Sequence, residues 1–257
     1  MPPRFYVYAL PKFVGPEEVA DGTAVVIDVL RSSTTIVYAL QAGAKAVIPC
    51  REISEARSIA AQYARDQVVL GGERGGLAID GFDLGNSPHE YTPEIIKNKI
   101  VVFTTSNGTQ ALSHVKKARQ IVLGSFVNAT AVIQKLQAQK KVHLVCAGTD
   151  GQLSEDDVLL AGMLIDTIQR QGGVPYELNP QAIAAQDLWL HTCTRLQVAR
   201  PELPNPGQLR EELRKSLGGQ NLVAIGLEND ITAAAQIDRF KCVPQFDAKT
   251  SMIQLMK

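Results

Sequence analysis

The sequence predicts an α/β fold: three α/β/α layers on a largely parallel or mixed sheet, with a helical C-terminal part. Three observations predict it. Short β-branched runs alternate with helix-period segments as far as Ala147. Several of those runs are apolar without alternation, as strands covered on both faces are. Beyond Gly172 the pattern turns helical. Taken in order, residues 5–10, 24–29, 46–48, 68–71, 100–104, 120–124 and 142–147 read as strands. Residues 34–41, 54–65, 109–116, 129–137 and 155–170 read as the helices between them. Helix 180–195 has Asn179 as N-cap and Pro180 at its first position, and helices 208–216 and 231–237 follow. The proline-rich stretch 200–207 is the only candidate internal boundary. The chain therefore reads as one 257-residue unit, or as two intimate lobes with the second starting near 172–207.

Composition excludes several function classes. The 26 basic and 26 acidic side chains balance, so no basic face for nucleic acid is expected. The longest apolar run, 158–165, is interrupted by a glycine and falls short of the ~18–20 residues of a membrane span. The start, MPPRFYVYALPKF, lacks a secretory h-region. Cys50, Cys146, Cys193 and Cys242 lie far apart with no C-x-x-C pair, the usage of a reduced compartment. A soluble cytoplasmic protein is expected.

An internal repeat points to where a ligand binds. Residues 24–48 and 100–123 overlay without gaps, placing Ser32 on Ser106 and Thr35 on Thr109. Residues 143–164 form a third strand–polar loop–helix unit. In open α/β sheets ligands bind beyond the carboxyl ends of strands, so these turns are expected to converge on one crevice. In DVLRSSTT (28–35), Asp28 ends an apolar strand and Arg31 precedes four hydroxyls at a helix start. That arrangement suits an anion; the plainer reading is an Asp28–Arg31 ion pair with a serine cap. GGERGG (71–76) flanks Glu73 and Arg74 with glycines that let backbone approach a ligand. GFDLGNSPHEY (81–91) offers Asn86 and Ser87, while His89 reads as structural. TTSNGT (104–109) offers Ser106, Asn107 and Gly108, and GSFVNA (124–129) offers Asn128; capping is the plainer role for both. In GTDGQLSEDD (148–157), Ser154 and Asp157 read as a capping box.

Glu155 and Asp156 either complement the helix dipole or join Asp28 and Glu73 at one end of the sheet. Four converging carboxylates require a cation, and oxygen-only ligation suits Mg²⁺. Histidine poverty and the lack of cysteine pairs speak against zinc. There is no G-x-S-x-G elbow, dinucleotide fingerprint, kinase signature or His-Cys-x₅-Arg loop, and Leu30 stands where a haloacid dehalogenase pattern needs Asp. Anion recognition plus a hard metal fits metal-assisted phosphoester hydrolysis.

VIDVLRSSTTI, GGERGG, GFDLGNSPHEY, TTSNGTQAL, GSFVNATAV and CAGTDGQLSEDDVLLAG, in this order, with a weaker match through GLENDI, resemble the 2-phosphosulfolactate phosphatase (ComB-like) family. The resemblance implies an α/β/α layered, Mg²⁺-dependent enzyme converting (R)-2-phospho-3-sulfolactate to 3-sulfolactate on the route to coenzyme M. On this reading Asp28, Glu73 and Glu155 or Asp156 hold the metal, and Arg31 and Arg74 clamp the phosphate, or one of them the sulfonate. Ser32, Ser33, Thr34, Asn86, Ser87, Ser106, Asn107, Gly108 and Asn128 bind the substrate. The attacking group is water or the hydroxyl of Ser32 or Ser106. The alternatives are a non-catalytic sensor of small anionic acids, or a phosphatase or phosphotransferase for another 2-phospho acid. A homodimer is the default expectation.

Overall fold

Both faces of the central strands are covered, and each strand's apolar run is divided between two cores. The computed structural model describes residues 2–15, 17–171 and 176–255. The chain begins with β1 (Arg4–Tyr8), β2 (Thr23–Ile27), α1 (Ser32–Gln41), β3 (Ala46–Cys50), α2 (Ile53–Ala60), β4 (Val68–Arg74) and β5 (Leu77–Ala78). Next come α3 (Pro93–Ile96), β6 (Ile100–Thr104), α4 (Gly108–His114), β7 (Gln120–Gly124), α5 (Ala129–Leu136), β8 (Lys141–Cys146) and α6 (Glu155–Gln171). The C-terminal part holds β9 (Glu177–Leu178), α7 (Pro180–Arg195), α8 (Pro206–Lys215), α9 (Leu217–Ala224), α10 (Glu228–Ala234), β10 (Pro244–Asp247) and β11 (Met252–Leu255). In β2, Val25 and Ile27 pack with Leu160, Leu164 and Trp189, while Ala24 and Val26 pack with Ile36, Leu40 and Leu112. A strand alternating between two dry faces has no place for a polar residue, which is why the run is uninterrupted.

The eleven strands form one mixed sheet in the order β5-β4-β6-β3-β11-β10-β7-β2-β8-β1-β9. Two blocks within it are parallel: β7, β2, β8 and β1, and β3, β6 and β4. The C-terminal hairpin β10–β11 joins them through antiparallel pairings on both sides. The order is symmetric about this hairpin: β2-α1-β3 and β6-α4-β7, the two repeat units, exchange places across it. Three antiparallel steps give the blocks opposed sense along the ladder. Twist of ~20–25° at each of the five pairings from β2 to β6 turns the blocks through about 100–125°. The starts of α1 and α4 nevertheless touch, since a Cβ on Gly108 would lie 2.3 Å from the Ser32 Oγ. The carboxyl ends of β2 and β6 therefore open into one crevice.

The structure also departs from the sequence reading. The expected helix at 208–216 is α8, and α9, absent from the expectation, follows it; the Ser216 side chain between them accepts a hydrogen bond from Gly219 N and caps α9. The expected helix at 231–237 sits at Glu228–Ala234. The hairpin β10–β11 was absent from the expectation, because PQFD and MIQL are short and the first opens with proline. The start of the possible second lobe at 172 lies outside the described residues. Trp189 is a core residue, 1% exposed.

His143 carries a testable consequence of this packing. It stacks on Tyr6 and Tyr8, and its Nε2 is buried without a hydrogen-bond partner among the described residues. Burial, with Lys141 adding, pushes its pKa down to about 4. A depressed histidine pKa means that the unfolded state binds the proton more tightly. Its stabilisation is thus present above about pH 6.5 and lost as pH falls toward 4. We expect His143→Phe, which keeps the stacked ring, to remove up to about 3 kcal/mol of this acid sensitivity. Urea unfolding of both proteins at pH 7 and pH 4.5 measures it; an unchanged difference between the two pH values rules the effect out.

Candidate active site

A cavity of about 260 Å³ opens among the ends of β2, β4 and β6, and α9 supplies another wall through Gly218, Asn221, Leu222 and Ala224. Asp28 lines it, 6% exposed. The loop wraps around this residue. Asp28 Oδ1 accepts from Ser32 N at 3.1 Å, and its carbonyl accepts from Ser33 Oγ at 2.7 Å. Thr34 Oγ1 donates to Val29 O at 2.7 Å. Asp157, also buried, accepts from Val29 N (2.8 Å) and Gly148 N (3.0 Å), tying the loop after β2 to the loop after β8. Glu73, at the end of β4, accepts from Ser106 N and Gly76 N, both at 2.8 Å, and so pins the turn after β6 to the glycine loop.

The electrostatics around Asp28 are unfavourable to its charge. Burial, then the charges of Asp156 and Glu73, push its pKa up to about 7 against the pull of the Ser32 N–H and of Arg31. Burial likewise raises Asp156 and Asp157. Arg31 does not pair with Asp28. Its Nη1 donates to Asp230 Oδ2 at 2.8 Å and its Nη2 to Gly76 O at 2.6 Å. Ser87 Oγ donates to the other Asp230 oxygen at 2.5 Å, so this buried carboxylate holds Arg31 from behind. Three carboxylates, Asp28, Glu73 and Asp150, then face the cavity against one arginine that is already neutralised. Asn86 Oδ1 and Thr105 Oγ1, in the lining, are buried with no partner among the described residues. Unpaired buried polar atoms are costly, and a polar ligand relieves that cost.

The cavity brings together Asp28, Arg31, Glu73, Asn86, Ser106 and Asn107. Ser32 and Gly108 pack against the Asp28 carboxylate; a Cβ on Gly108 would fall 2.7 Å from Asp28 Oδ2. Other expected site residues are occupied elsewhere. Ser33 and Thr34 close their own loop, and Thr34 also bonds Ser125 Oγ at 2.6 Å. Asn128 forms a capping box with Ser125 and donates to Leu123 O and Cys242 O; it is fully buried and structural. Ser87 lines a neighbouring depression beside Asp230. Arg74 is outside the cavity, bonded to Glu73 O, Arg51 O and Thr104 Oγ1. Glu155 is exposed and absent from the lining, and Asp156, also absent from it, accepts from Ser154 Oγ. Among the described residues no group of three or more His, Cys, Asp or Glu forms a ready metal cage. Ser154 bonds Asp156 and Thr149, so the expected Ser154–Asp157 box gives way to the loop clamp described above.

A family model described as 2-phosphosulpholactate phosphatase matches residues 8–249. The chain belongs to this family. A protein of Thermotoga maritima named probable 2-phosphosulfolactate phosphatase is 39% identical over 223 residues, covering 86% of this chain and 88% of that protein. A protein of the same name from Caldanaerobacter subterraneus is 34% identical over 233 residues, covering 90% of each. The 2-phosphosulfolactate phosphatase family match spans all the motifs from Asp28 to Asp157 and includes Asp230. Sequence reasoning missed Asp230, Asp150 and the α9 wall. The sequence signal for Asp230 was the GLENDI segment, whose partner Arg31 is 199 residues away. No helix among the described residues is long and apolar enough to cross a membrane.

Proposed function

We infer that this chain is a phosphatase acting on the phosphate monoester of a small anionic 2-phospho acid, foremost 2-phosphosulfolactate, to give 3-sulfolactate on the route to coenzyme M. The observation that carries this reading is Asp28. It is a buried carboxylate in the cavity lining whose charged neighbours are Glu73 and Asp156, of like sign, and an arginine engaged elsewhere. A second support is the family, whose relatives carry that substrate in their names.

The donor set suits Mg²⁺, which binds through one or two carboxylates and keeps waters and substrate phosphate as its other ligands. Asp28 and Glu73 would hold it; Asp28 Oδ2 accepts no hydrogen bond among the described residues, and a cation there offsets the repulsion that burdens this group. Bound Mg²⁺ supplies charge neutralisation and polarisation of a phosphoryl oxygen. The chain's own residues do the rest. Arg31, held by Asp230 and Gly76, turns its remaining N–H groups to the phosphate with little reorganisation. Ser106 and Asn107 also line the cavity; Asn107 offers its side-chain amide to phosphate oxygens, while the Ser106 N–H and O–H already donate to Glu73. Asp28 in its ionised form orients the attacking water in line with the leaving alkoxide. Little covalent help is needed, because phosphoryl transfer is governed by positioning and charge.

The protein with Mg²⁺ is expected to release inorganic phosphate from phosphosulfolactate, and EDTA to stop the release. A colorimetric phosphate assay measures it. Binding of intact phosphosulfolactate with no release, with or without Mg²⁺, would mean a sensor in place of an enzyme.

A further inference from the structure

Beside the cavity, with Thr105 and Ser106 as a common wall, lies a second depression of about 320 Å³. Arg51, Glu52, Arg74 and Thr109 line it. Its charge is opposite to that of the cavity, with two guanidiniums against one carboxylate. Arg74 is held by three acceptors, Glu73 O (2.7 Å), Arg51 O (2.7 Å) and Thr104 Oγ1 (2.8 Å). All three are uncharged, so its orientation is fixed while its charge is left unmatched. Among the described residues neither Arg51 nor Arg74 makes an ion pair, whereas Arg31, Arg170 and Arg200 each meet a buried carboxylate. The Thr105 Oγ1, buried in the common wall, has no hydrogen-bond partner among the described residues. A preoriented guanidinium, a second one beside it and an idle hydroxyl form a receptor for an oxyanion.

We propose that this depression is the subsite for the sulfonate end of the substrate, holding it while the phosphate occupies the neighbouring cavity. The proposal rests on the phosphatase reading and assigns the part of the substrate which that reading leaves unplaced. The division follows from charge. A phosphate at neutral pH carries about −1.5 to −2 and needs the cation that only the acidic cavity attracts. A sulfonate is a monoanion with three acceptor oxygens; it gains nothing from a carboxylate-rich pocket and much from two arginines. The subsite makes Arg51 and Arg74 the residues that separate a sulfonated 2-phospho acid from plain phospholactate.

Two measurements on the intact protein with Mg²⁺ test this. In the first, Arg51→Ala is expected to raise KM for phosphosulfolactate at least about tenfold and KM for phospholactate less than about twofold. Arg51→Lys, which keeps the charge and loses the fork, recovers part of that loss. In the second, calorimetry follows binding of 3-sulfolactate, lactate and inorganic phosphate to wild type and Arg51→Ala. Loss confined to 3-sulfolactate supports the subsite. Equal loss for 3-sulfolactate and phosphate, or no loss, overturns it. The two readings fail separately. Arg51-dependent 3-sulfolactate binding without turnover leaves the subsite and removes the phosphatase; turnover indifferent to Arg51 does the reverse.

Discussion

Asp28→Asn is expected to lower phosphate release by at least about a thousandfold while the protein stays folded and becomes more stable without metal. The loss follows from removing the charge that a divalent cation and an attacking water both require. The stability gain follows from the sign of the pKa shift. Asp28 is pushed up to about 7 from an ordinary 3.8, chiefly by burial. A raised carboxylate pKa means that the folded state favours the proton. Its contribution is fully favourable below about pH 4 and is lost as pH rises through 7. Asparagine cannot ionise, keeps an oxygen for the Ser32 N–H, and escapes the charges of Glu73 and Asp156. In EDTA at pH 8 we expect Asp28→Asn to unfold at higher urea than wild type, by on the order of 1–4 kcal/mol, and to match it near pH 4. Unfolding curves at the two pH values and a phosphate assay together check both halves. A fully active Asp28→Asn protein removes this residue from the chemistry; a less stable one means that attractions to the ionised carboxylate outweigh its burial and the repulsion of Glu73 and Asp156.

Functional groups that lose stability in their own fold mark sites with some generality, and they explain which parts of this one were legible in the sequence. Asp28 and Glu73 stood out because a carboxylate ending an apolar strand, or set among glycines after one, is costly to bury without a compensating partner. Ser33, Thr34 and Asn128 looked the same as site residues in sequence, since hydroxyls and amides at a strand end serve equally as ligands or caps. Only the fold shows that Asn128 is consumed by Ser125, Leu123 and Cys242. Arg31 was visible as a cation, but its partner was not. The nearest acid in sequence is Asp28, and the actual one, Asp230, arrives from α10 by tertiary packing. Strands β6 and β7 could be read to the residue because both of their faces are buried. The hairpin β10–β11 could not, because its short strands take their stability from β7 and β3 rather than from their own pattern.

Gly72→Ala is expected to destabilise the protein by at least about 3 kcal/mol, and to lower phosphate release in whatever fraction still folds. Gly72 pairs with Thr104 where β4 meets β6, at φ +137°, a conformation closed to side chains. A Cβ there would lie 1.9 Å from Thr104 O and 2.9 Å from Thr104 N. Neither atom can retreat, because both belong to the ladder that carries Ser106 to the cavity wall. Relief requires β4 to pull away from β6. That movement would take Glu73, the next residue, off the Ser106 N–H it accepts from. Gly75→Ala is the control. It too has positive φ, at +58°, yet nothing lies within 4 Å of its Cβ, so only the left-handed backbone cost of about 1–2 kcal/mol applies. Urea unfolding of both variants separates close approach from conformational preference. If Gly72→Ala lost no more than Gly75→Ala, the two strands would not approach as closely as described. Glu73 would then owe its position to its own hydrogen bonds with Ser106 and Gly76 instead of to the ladder beneath it.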